Sequence, residues 1–358
     1  MSKNFCVIMG GGVGSRFWPM SRTKLPKQFL DFFGTGRSLL QMTFDRFNSI
    51  IPTENIFIVT NQLYLDLVKE QLPLLKENQI LLEPQRRNTA PCIAWASYHI
   101  KSLEPEANIV VSPADHLILN NAEFSDSIRK GLDFVSRNNV LLTLGIKPNH
   151  PETGYGYIQI DDEQKEGFMK VKTFTEKPNL ELAKVFVESG EFLWNSGIFI
   201  WNVNSILNAF KEFQPEIHTR FENGKSYYNT SSEMTFINEN FPACPNISID
   251  FGVMEKASNV FVHGVAFGWS DLGTWGALYD LSEKDADNNV SLKCKTLAYE
   301  SHNNIISTPS NHLVVIQGLE NYVIAEDNNV LLICKKEEEQ RIRNFATDVK
   351  VNYGDEFI

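Results

Sequence analysis

A short apolar run that ends in a cluster of glycines constrains the fold of this chain more than any other feature. Residues Phe5–Met9 are all apolar, and Gly10, Gly11, Gly12 and Gly14 follow them. A continuous apolar run of this length is typical of a strand in a parallel sheet that is buried on both faces. The glycines allow a sharp turn whose backbone N–H groups can approach an anion.

Apolar runs alternate with helix-length segments through the first two thirds of the chain. The predicted strands are Phe5–Met9, Ile56–Thr60, Ile80–Leu82, Ile109–Ser112 and Val140–Leu144, and the predicted helices are Leu63–Glu77, Ala90–Lys101 and Phe124–Arg137. This alternation predicts a Rossmann-like α/β fold, with a mixed and mainly parallel sheet and flanking helices. In such open sheets ligands bind beyond the carboxyl ends of the strands, so the glycine turn, Glu83 and Asp115 should face one site.

The pattern changes twice in the second half of the chain. After residue 150, strands are predicted at Gly156–Ile160, Lys170–Thr175 and Gly197–Val203, and residues 214–247 indicate short helices or irregular structure. After residue 282, turns rich in Asn, Gly and Asp separate short strands predicted at Asn304–Ser307, Leu313–Gln317, Tyr322–Ala325 and Val330–Cys334. This spacing fits either a few coils of a β-helix or a small β-roll. We therefore expect two domains, residues 1–282 and a small β-rich domain of residues 283–358. The second domain should end in a helix at Glu337–Val349, which is either a solvated cap or a dimer contact.

The segment after the glycines is a basic island in an acidic chain. Arg16, Arg22, Lys24 and Lys27 lie there, no acidic residue occurs between positions 10 and 30, and the whole chain has a net charge of -11. The island predicts a polyphosphate partner. The acidic balance of the whole argues against a nucleic-acid or membrane-surface role. The chain has no apolar run of membrane-spanning length and no signal-peptide pattern, and its five cysteines are scattered, so we expect a cytoplasmic protein.

Two other glycine-rich motifs fit this segment less well. A dinucleotide-binding turn requires an acidic residue at the end of a second strand, and Asp31 has the spacing but follows no strand pattern. A P-loop requires Gly-Lys-Ser/Thr after the glycines, and this chain lacks it.

Several motifs occur together in an order that resembles one family. Gly-Gly-x-Gly-x-Arg-x-Trp-Pro-x-Ser-Arg continues to Pro-Lys-Gln-Phe-Leu, and the later matches are Arg87–Pro91, Pro113–His116, Thr153–Ile158, Phe174–Pro178, Trp194–Phe199, Ile249–Lys256 and Trp269–Trp275. Over about residues 5–280 the chain resembles the bacterial mannose-1-phosphate guanylyltransferases, nucleotidyltransferases that activate sugar 1-phosphates. Some relatives carry a further isomerase domain. None of the seven histidines here forms a His-x-His pair, so we expect a monofunctional protein.

The resemblance implies that GMP passes from GTP to mannose 1-phosphate, giving GDP-mannose and pyrophosphate by in-line attack of the sugar phosphate. It assigns catalysis to Arg16, Lys27 and Asp115, with Arg16 at the β- and γ-phosphates and Lys27 at the α-phosphate. The nucleotide would be bound by Gly11, Gly12, Gly14, Ser15, Arg16, Glu83, Asn88 and Ala90, and the sugar phosphate by Gly156, Glu176, Lys177 and Asn195.

The same resemblance implies a Mg²⁺ ion, with Mn²⁺ as a substitute, on Asp115 and Asp271. An aspartate after a strand can instead cap a helix, so both roles stay open from the sequence. A homodimer is expected by family analogy. The alternatives are a nucleotidylyltransferase for another hexose 1-phosphate, a non-catalytic nucleotide-sugar-binding regulatory subunit of the same fold and, more remotely, a nicotinamide dehydrogenase.

Overall fold

The computed structural model describes residues 3–310 and 312–358, which divide into two compact units. Unit 1 comprises Met1–Gly11, Phe44–Pro113 and Ile118–Trp269, and unit 2 comprises Gly12–Thr43, Ala114–Leu117 and Ser270–Ile358. The units differ from the predicted domains in two respects. The last segment of unit 2 begins at Ser270 rather than at residue 283, and unit 2 also includes two earlier segments of the chain. That the chain has a domain boundary after residue 282 remains a prediction.

Unit 1 is built on one mixed sheet. The strands up to residue 270 are β1 (Asn4–Met9), β2 (Ile56–Asn61), β3 (Ile80–Glu83), β4 (Asn108–Pro113), β5 (Leu117–Ile118), β6 (Leu141–Ile146), β7 (Gly156–Lys165), β8 (Phe168–Glu176), β9 (Phe192–Asn202), β10 (Val260–Val265) and β11 (Trp269–Ser270). The main sheet has the order β3-β2-β1-β4-β9-β6-β10-β8-β7. Strands β3, β2, β1 and β4 run parallel to one another, whereas β9 runs antiparallel to β4 and β6. The predicted mixed, mainly parallel α/β fold is confirmed.

The helices up to residue 281 are α1 (Leu39–Asn48), α2 (Leu65–Gln71), α3 (Thr89–Leu103), α4 (Asn121–Arg137), α5 (Leu180–Ser189), α6 (Val203–Phe213), α7 (Pro215–Glu222), α8 (Glu233–Asn240) and α9 (Trp275–Leu281). The prediction of a long helix over Leu63–Glu77 was wrong in its extent. Pro73 disfavours helical backbone at Leu72, so α2 ends at Gln71. Helix α3 is buried along most of its length in the core of unit 1.

The strand register of unit 1 confirms part of the expected ligand-binding edge. Met9 at the end of β1 pairs with Pro113 at the end of β4, and Asn61 at the end of β2 pairs with Glu83. Because these strands are parallel, their carboxyl ends lie at one edge of the sheet. The first glycines of the turn and Glu83 therefore lie at this edge, as predicted.

Short strands that stack in successive coils form most of unit 2. They are β12 (Val290–Leu292), β13 (Lys295–Tyr299), β14 (Ile305–Ser307), β15 (Leu313–Gln317), β16 (Tyr322–Asp327) and β17 (Val330–Lys335). β12, β14 and β16 pair in parallel, as do β13 and β15, and β17 closes the sheet by antiparallel pairing with β16. Parallel stacking of successive turns is typical of a short β-helix. The expected terminal helix is observed as a 3-10 helix, Lys336–Arg341, followed by α10 (Ile342–Tyr353).

The core of unit 2 explains why residues 12–43 belong to it. Phe17 and Phe32 are at most 1% exposed and pack in the same apolar cluster as Trp275, Val323 and Ile342. The aromatic residues that follow the glycines therefore gain their burial from the C-terminal strands and helix. No helix in the described part of the chain is long and apolar enough to cross a membrane.

Candidate active site

The predicted site residues fall into two groups, each within one unit. Gly11, Glu83, Asn88, Ala90, Gly156, Glu176, Lys177 and Asn195 belong to unit 1, whereas Gly12, Gly14, Ser15, Arg16, Lys27, Asp115 and Asp271 belong to unit 2. Most of the unit 2 group lines one cavity.

Gly14 packs directly against Lys27. Its φ is +68°, in the left-handed region, and a Cβ there would collide with the Cβ of Lys27. Ser15–Phe17 then form one turn of 3-10 helix directly after Gly14, and this turn carries Arg16. A glycine at position 14 is therefore required both by the backbone conformation and by the close approach of the lysine.

Lys27 is a buried cation with two oxygen partners. Its side chain is 5% exposed, and Nζ lies 2.9 Å from Oδ2 of Asp115 and 2.5 Å from the backbone oxygen of Asp271. A lysine this deeply buried needs such partners, because desolvation of an unpaired charge is costly. These two contacts fix the position of Lys27 Nζ.

Both proposed metal ligands lie beside this ammonium group. Burial alone would raise the pKa of Asp115, but the positive charges of Lys27 and His116 outweigh it and lower that pKa below its usual value. Oδ1 of Asp271 accepts the N–H of Gly273 at 2.7 Å. Asp115 is therefore held as a carboxylate, and Asp271 is oriented by the turn that follows it.

A cavity of about 160 Å³ connects these groups within unit 2. It is lined by Gly14, Arg16, Phe17, Lys27, Asp115, His116, Asp271, Gly273 and Arg343. Five of these nine residues were predicted from the sequence. The cavity thus contains both predicted carboxylates and both predicted catalytic cations.

The carboxylate pair meets the basic requirement of Mg²⁺. This ion takes hard oxygen ligands and in phosphate-transfer sites often uses one or two carboxylates with phosphate oxygens and water. In the described residues no group of three or more His, Cys, Asp and Glu side chains is arranged to hold a metal. Asp115 and Asp271 could therefore supply two oxygen ligands of such an ion, and the Mg²⁺ site itself remains a prediction.

Arg16 is oriented by the C-terminal part of unit 2. Its Nε donates to Oε1 of Gln340 at 2.9 Å. Arg22, from the same basic island, has a different role: its guanidinium donates to the backbone oxygens of Pro19 and Asp327 and lies 3.5 Å from the Asp327 carboxylate. Arg22 therefore holds the segment to the β-rich strands, and Arg16 points into the cavity.

Glu83 lies at the sheet edge of unit 1, beside the first glycines. A Cβ on Gly11 would lie 3.5 Å from Glu83 Oε2. Burial raises the pKa of Glu83 to about 7, and the charge of Arg86 only partly offsets this. Near neutral pH the Glu83 carboxyl group can therefore be either ionised, as a hydrogen-bond acceptor, or protonated, as a donor. Its contact with the guanine base remains a prediction.

Asn88 and Ala90 begin helix α3. The Asn88 side chain accepts the N–H of Thr89 at 2.9 Å, and its φ of +63° sets the entry angle of the helix. Ala90 is fully buried, and its N–H donates to Ile247 at 3.1 Å. Both residues have structural partners here, and their nucleotide contacts remain predictions.

The predicted sugar-side residues of unit 1 converge on a second polar cluster. A Cβ on Gly156 would strike the Glu176 carboxylate and lie 3.4 Å from Cβ of Asn195. Lys177, next in the chain, is exposed and pairs with Glu176 at 2.9 Å. Glycine at position 156 keeps this surface open at the point where the carboxylate and amide face it.

Asp250 belongs to this cluster and was not predicted as a site residue. Asn195 Nδ2 donates to its Oδ1 at 2.7 Å. Burial first, and the charge of Glu176 second, raise the pKa of Asp250 to about 6. The residue begins a π-helical turn, Asp250–Met254, an element that often occurs at functional sites. Its motif was recognised in the sequence, but its contact with Asn195 is visible only in the fold.

Comparisons with known proteins agree with this arrangement. The family described as "Nucleotidyl transferase" matches residues 5–288. A mannose-1-phosphate guanylyltransferase of Escherichia coli is 37% identical over 95% of this chain and 74% of its own length. One from Salmonella typhimurium is also 37% identical, over 98% of this chain and 73% of its own length.

Solved structures show the same similarity. A Thermus thermophilus protein described as a mannose-1-phosphate geranyltransferase aligns with a TM-score of 0.88 at 26% identity, over 98% of this chain and 100% of its own. A Helicobacter pylori structure described as mannose-6-phosphate isomerase covers 74% of this chain and 99% of its own, with a TM-score of 0.59 at 26% identity. The fold and the cavity define a nucleotidyl transferase. Within that class, the chain belongs to the mannose-1-phosphate guanylyltransferase family.

Proposed function

We propose that this protein transfers GMP from GTP to α-D-mannose 1-phosphate, releasing pyrophosphate and forming GDP-mannose. A phosphate oxygen of the sugar attacks the α-phosphorus of GTP, and the bond from that phosphorus to the bridging oxygen of the β-phosphate breaks. The observation that carries the proposal is the cavity of unit 2, where Lys27, Arg16, Asp115 and Asp271 lie together. The similarity to relatives named for this reaction supports the choice of substrates.

The chemistry requires charge neutralisation rather than a protein nucleophile. A sugar phosphate has a second pKa of about 6 and is already anionic near neutral pH. Two anions must approach in line while negative charge moves to the leaving pyrophosphate. Lys27, fixed by its two oxygen partners, supplies a preorganised ammonium group, and Arg16 offers a fork of N–H donors for phosphate.

Asp115 and Asp271 would hold the Mg²⁺ or Mn²⁺ ion that we propose as cofactor. When bound, such an ion supplies positive charge to the phosphate oxygens and orients them. The chain's own contribution is to keep Asp115 ionised beside Lys27 and to orient Asp271 through the N–H of Gly273.

On the sugar side, we propose that Glu176, Asn195 and Asp250 bind mannose hydroxyl groups. Asn195 uses one amide N–H for Asp250, and its Oδ1 accepts the N–H of Gly197 at 3.1 Å. The orientation of the Asn195 amide is therefore fixed. The carboxyl oxygens of Glu176 and Asp250 keep lone pairs that can accept hydrogen bonds from sugar O–H groups. Lys177, exposed beside Glu176, is the proposed partner of the sugar phosphate.

We also propose that the protein works in the cytoplasm as a homodimer. All five cysteines are free thiols, as in a reducing compartment. Strands β13, β15 and β17 expose apolar side chains, among them Tyr299, Val315 and Ile333, each more than half exposed. This surface supports self-association, and light scattering of the wild type and of Val315→Lys tests it.

A direct assay tests the proposed reaction. Pyrophosphate release is measured with mannose 1-phosphate and GTP, TTP or UTP, with and without EDTA. We expect turnover with GTP that the chelator abolishes. Preferred turnover of TTP or UTP would assign another nucleotidylyltransferase activity, and binding without turnover would indicate a regulatory subunit. Full activity in EDTA would remove the metal from the proposal.

A further inference from the structure

Arg343, on helix α10, lines the same cavity as Gly14, Arg16, Lys27 and Asp115. It lies more than 300 residues from the glycine turn in the sequence, and its side chain remains accessible to solvent. The terminal helix was expected to serve only as a cap or a dimer contact. Its contribution of a cation to the cavity indicates a role in ligand binding.

The helix is fixed to the segment that follows the glycines. Ile342 and Ala346, four residues apart on one face of α10, are buried in the same core as Phe17 and Trp18. The indole N–H of Trp18 donates to the backbone oxygen of Phe357 at 2.8 Å. The position of Arg343 is therefore determined by packing.

The turn that precedes the helix has polar anchors of its own. Gln340 accepts the Nε–H of Arg16 at 2.9 Å, and Oε2 of Glu339 accepts the N–H of Gly276 at 2.8 Å. The Glu339 carboxylate is thus directed to the start of α9. The amide of Gln340 orients the Arg16 guanidinium without neutralising its charge.

Arg16 and Arg343 both line this cavity, and the charge of Arg16 acts on Arg343 and on the buried Glu339 carboxylate. Neither Arg16 nor Arg343 forms an ion pair in the part of the chain that the structure describes, although the chain has 44 acidic residues. Partial burial, and then the positive charge of Arg16, lower the pKa of Arg343. Like charges that act on each other are unfavourable by themselves, and a bound anion offsets the repulsion.

We propose that Arg343 binds the β- and γ-phosphates of GTP, and the pyrophosphate that they become, together with Arg16. This inference rests on the proposed function. Guanidinium groups bind phosphate through paired N–H donors, and two of them can share the charge of a pyrophosphate. The C-terminal helix is thereby part of the nucleotide site.

Pyrophosphate binding measured by isothermal titration in the presence of Mg²⁺ tests the proposal. Four proteins are compared: wild type, Arg343→Ala, Arg343→Lys and Arg341→Ala. Arg341 is the matched control, because it lies two residues away, is mostly exposed and pairs with Glu338 at 3.0 Å. We expect Arg343→Ala to weaken pyrophosphate binding by roughly tenfold or more, the loss of a charge-assisted contact. Arg343→Lys should retain part of the affinity, and Arg341→Ala should resemble wild type.

Steady-state kinetics provide the second measurement. Arg343→Ala should raise the KM for GTP and leave the KM for mannose 1-phosphate within twofold. Wild-type affinity for pyrophosphate in Arg343→Ala, or equal losses in Arg341→Ala, would overturn the inference while leaving the proposed reaction intact. If the wild type binds pyrophosphate through Arg343 but makes no GDP-mannose, the proposed reaction fails and the phosphate site stands.

Discussion

Replacing Gly14 by alanine tests the geometry on which the cavity depends. The backbone at this position has a φ of +68°, and the new Cβ would collide with Cβ of Lys27 and lie 3.1 Å from its Cδ. Gly12 is the matched control. Its φ lies outside the left-handed range, and nothing lies within 4 Å of the position that its Cβ would take.

The expected loss of stability follows from two separate effects. A non-glycine residue held in a left-handed conformation costs about 1–3 kcal/mol. Insertion of a methyl group against a packed neighbour costs about another 1–3 kcal/mol. We therefore expect Gly14→Ala to lower the free energy of unfolding by about 2–6 kcal/mol. Gly12→Ala should change it by less than about 1 kcal/mol, because alanine meets neither constraint there.

Urea denaturation followed by tryptophan fluorescence measures this difference. Trp18 and Trp275 are buried in the core of unit 2 and report on its unfolding. The kcat of Gly14→Ala should also fall, since Lys27 must move to admit the methyl group. If the two alanine variants unfold at the same urea concentration, the packing of Gly14 on Lys27 is refuted as a constraint on the site.

The remaining predictions concern charge. Lys27→Ala and Arg16→Ala should each lower kcat/KM by about 10²-fold or more, the typical loss of one transition-state donor, and turnover within a few-fold of wild type for both would make the segment structural. Asp115→Asn and Asp271→Asn remove the charge but retain an oxygen that can cap a helix, so a capping role predicts little change in turnover. A metal-binding role predicts a large fall in turnover that high Mn²⁺ partly restores. Asp250→Asn should flatten the pH dependence of stability. The folded-state pKa of about 6 exceeds the ordinary value of 3.8. Folding therefore favours the protonated form, and stability is lost as pH rises from about 4 to 6. This pKa shift corresponds to about 3 kcal/mol of folding free energy. If the melting temperature changes between pH 4 and pH 7 by the same amount in the wild type and in Asp250→Asn, the prediction is contradicted.

Local pattern in the sequence predicted several strands of both units well. Strand β1 was expected at Phe5–Met9 and is observed at Asn4–Met9, and β15 has the predicted bounds, Leu313–Gln317. Continuous apolar runs and turn residues are local signals, so the chain encodes these strands without reference to distant contacts. The position of Glu83 at the carboxyl edge followed from the same signals and from the rules of parallel sheets.

Tertiary structure decided which distant segments share a cavity. Residues after the glycines belong to unit 2 because Phe17 and Phe32 are buried against C-terminal strands, a contact that no local periodicity specifies. Arg343 lines the same cavity as Arg16 for the same reason, and Asp250 joins the candidate sugar-side cluster only through Asn195, 55 positions earlier. The sequence alone was enough to predict the catalytic chemistry, because each motif that carries the family resemblance is a short contiguous segment. The full set of charges around that chemistry was decided by packing, which joins side chains irrespective of their separation along the chain.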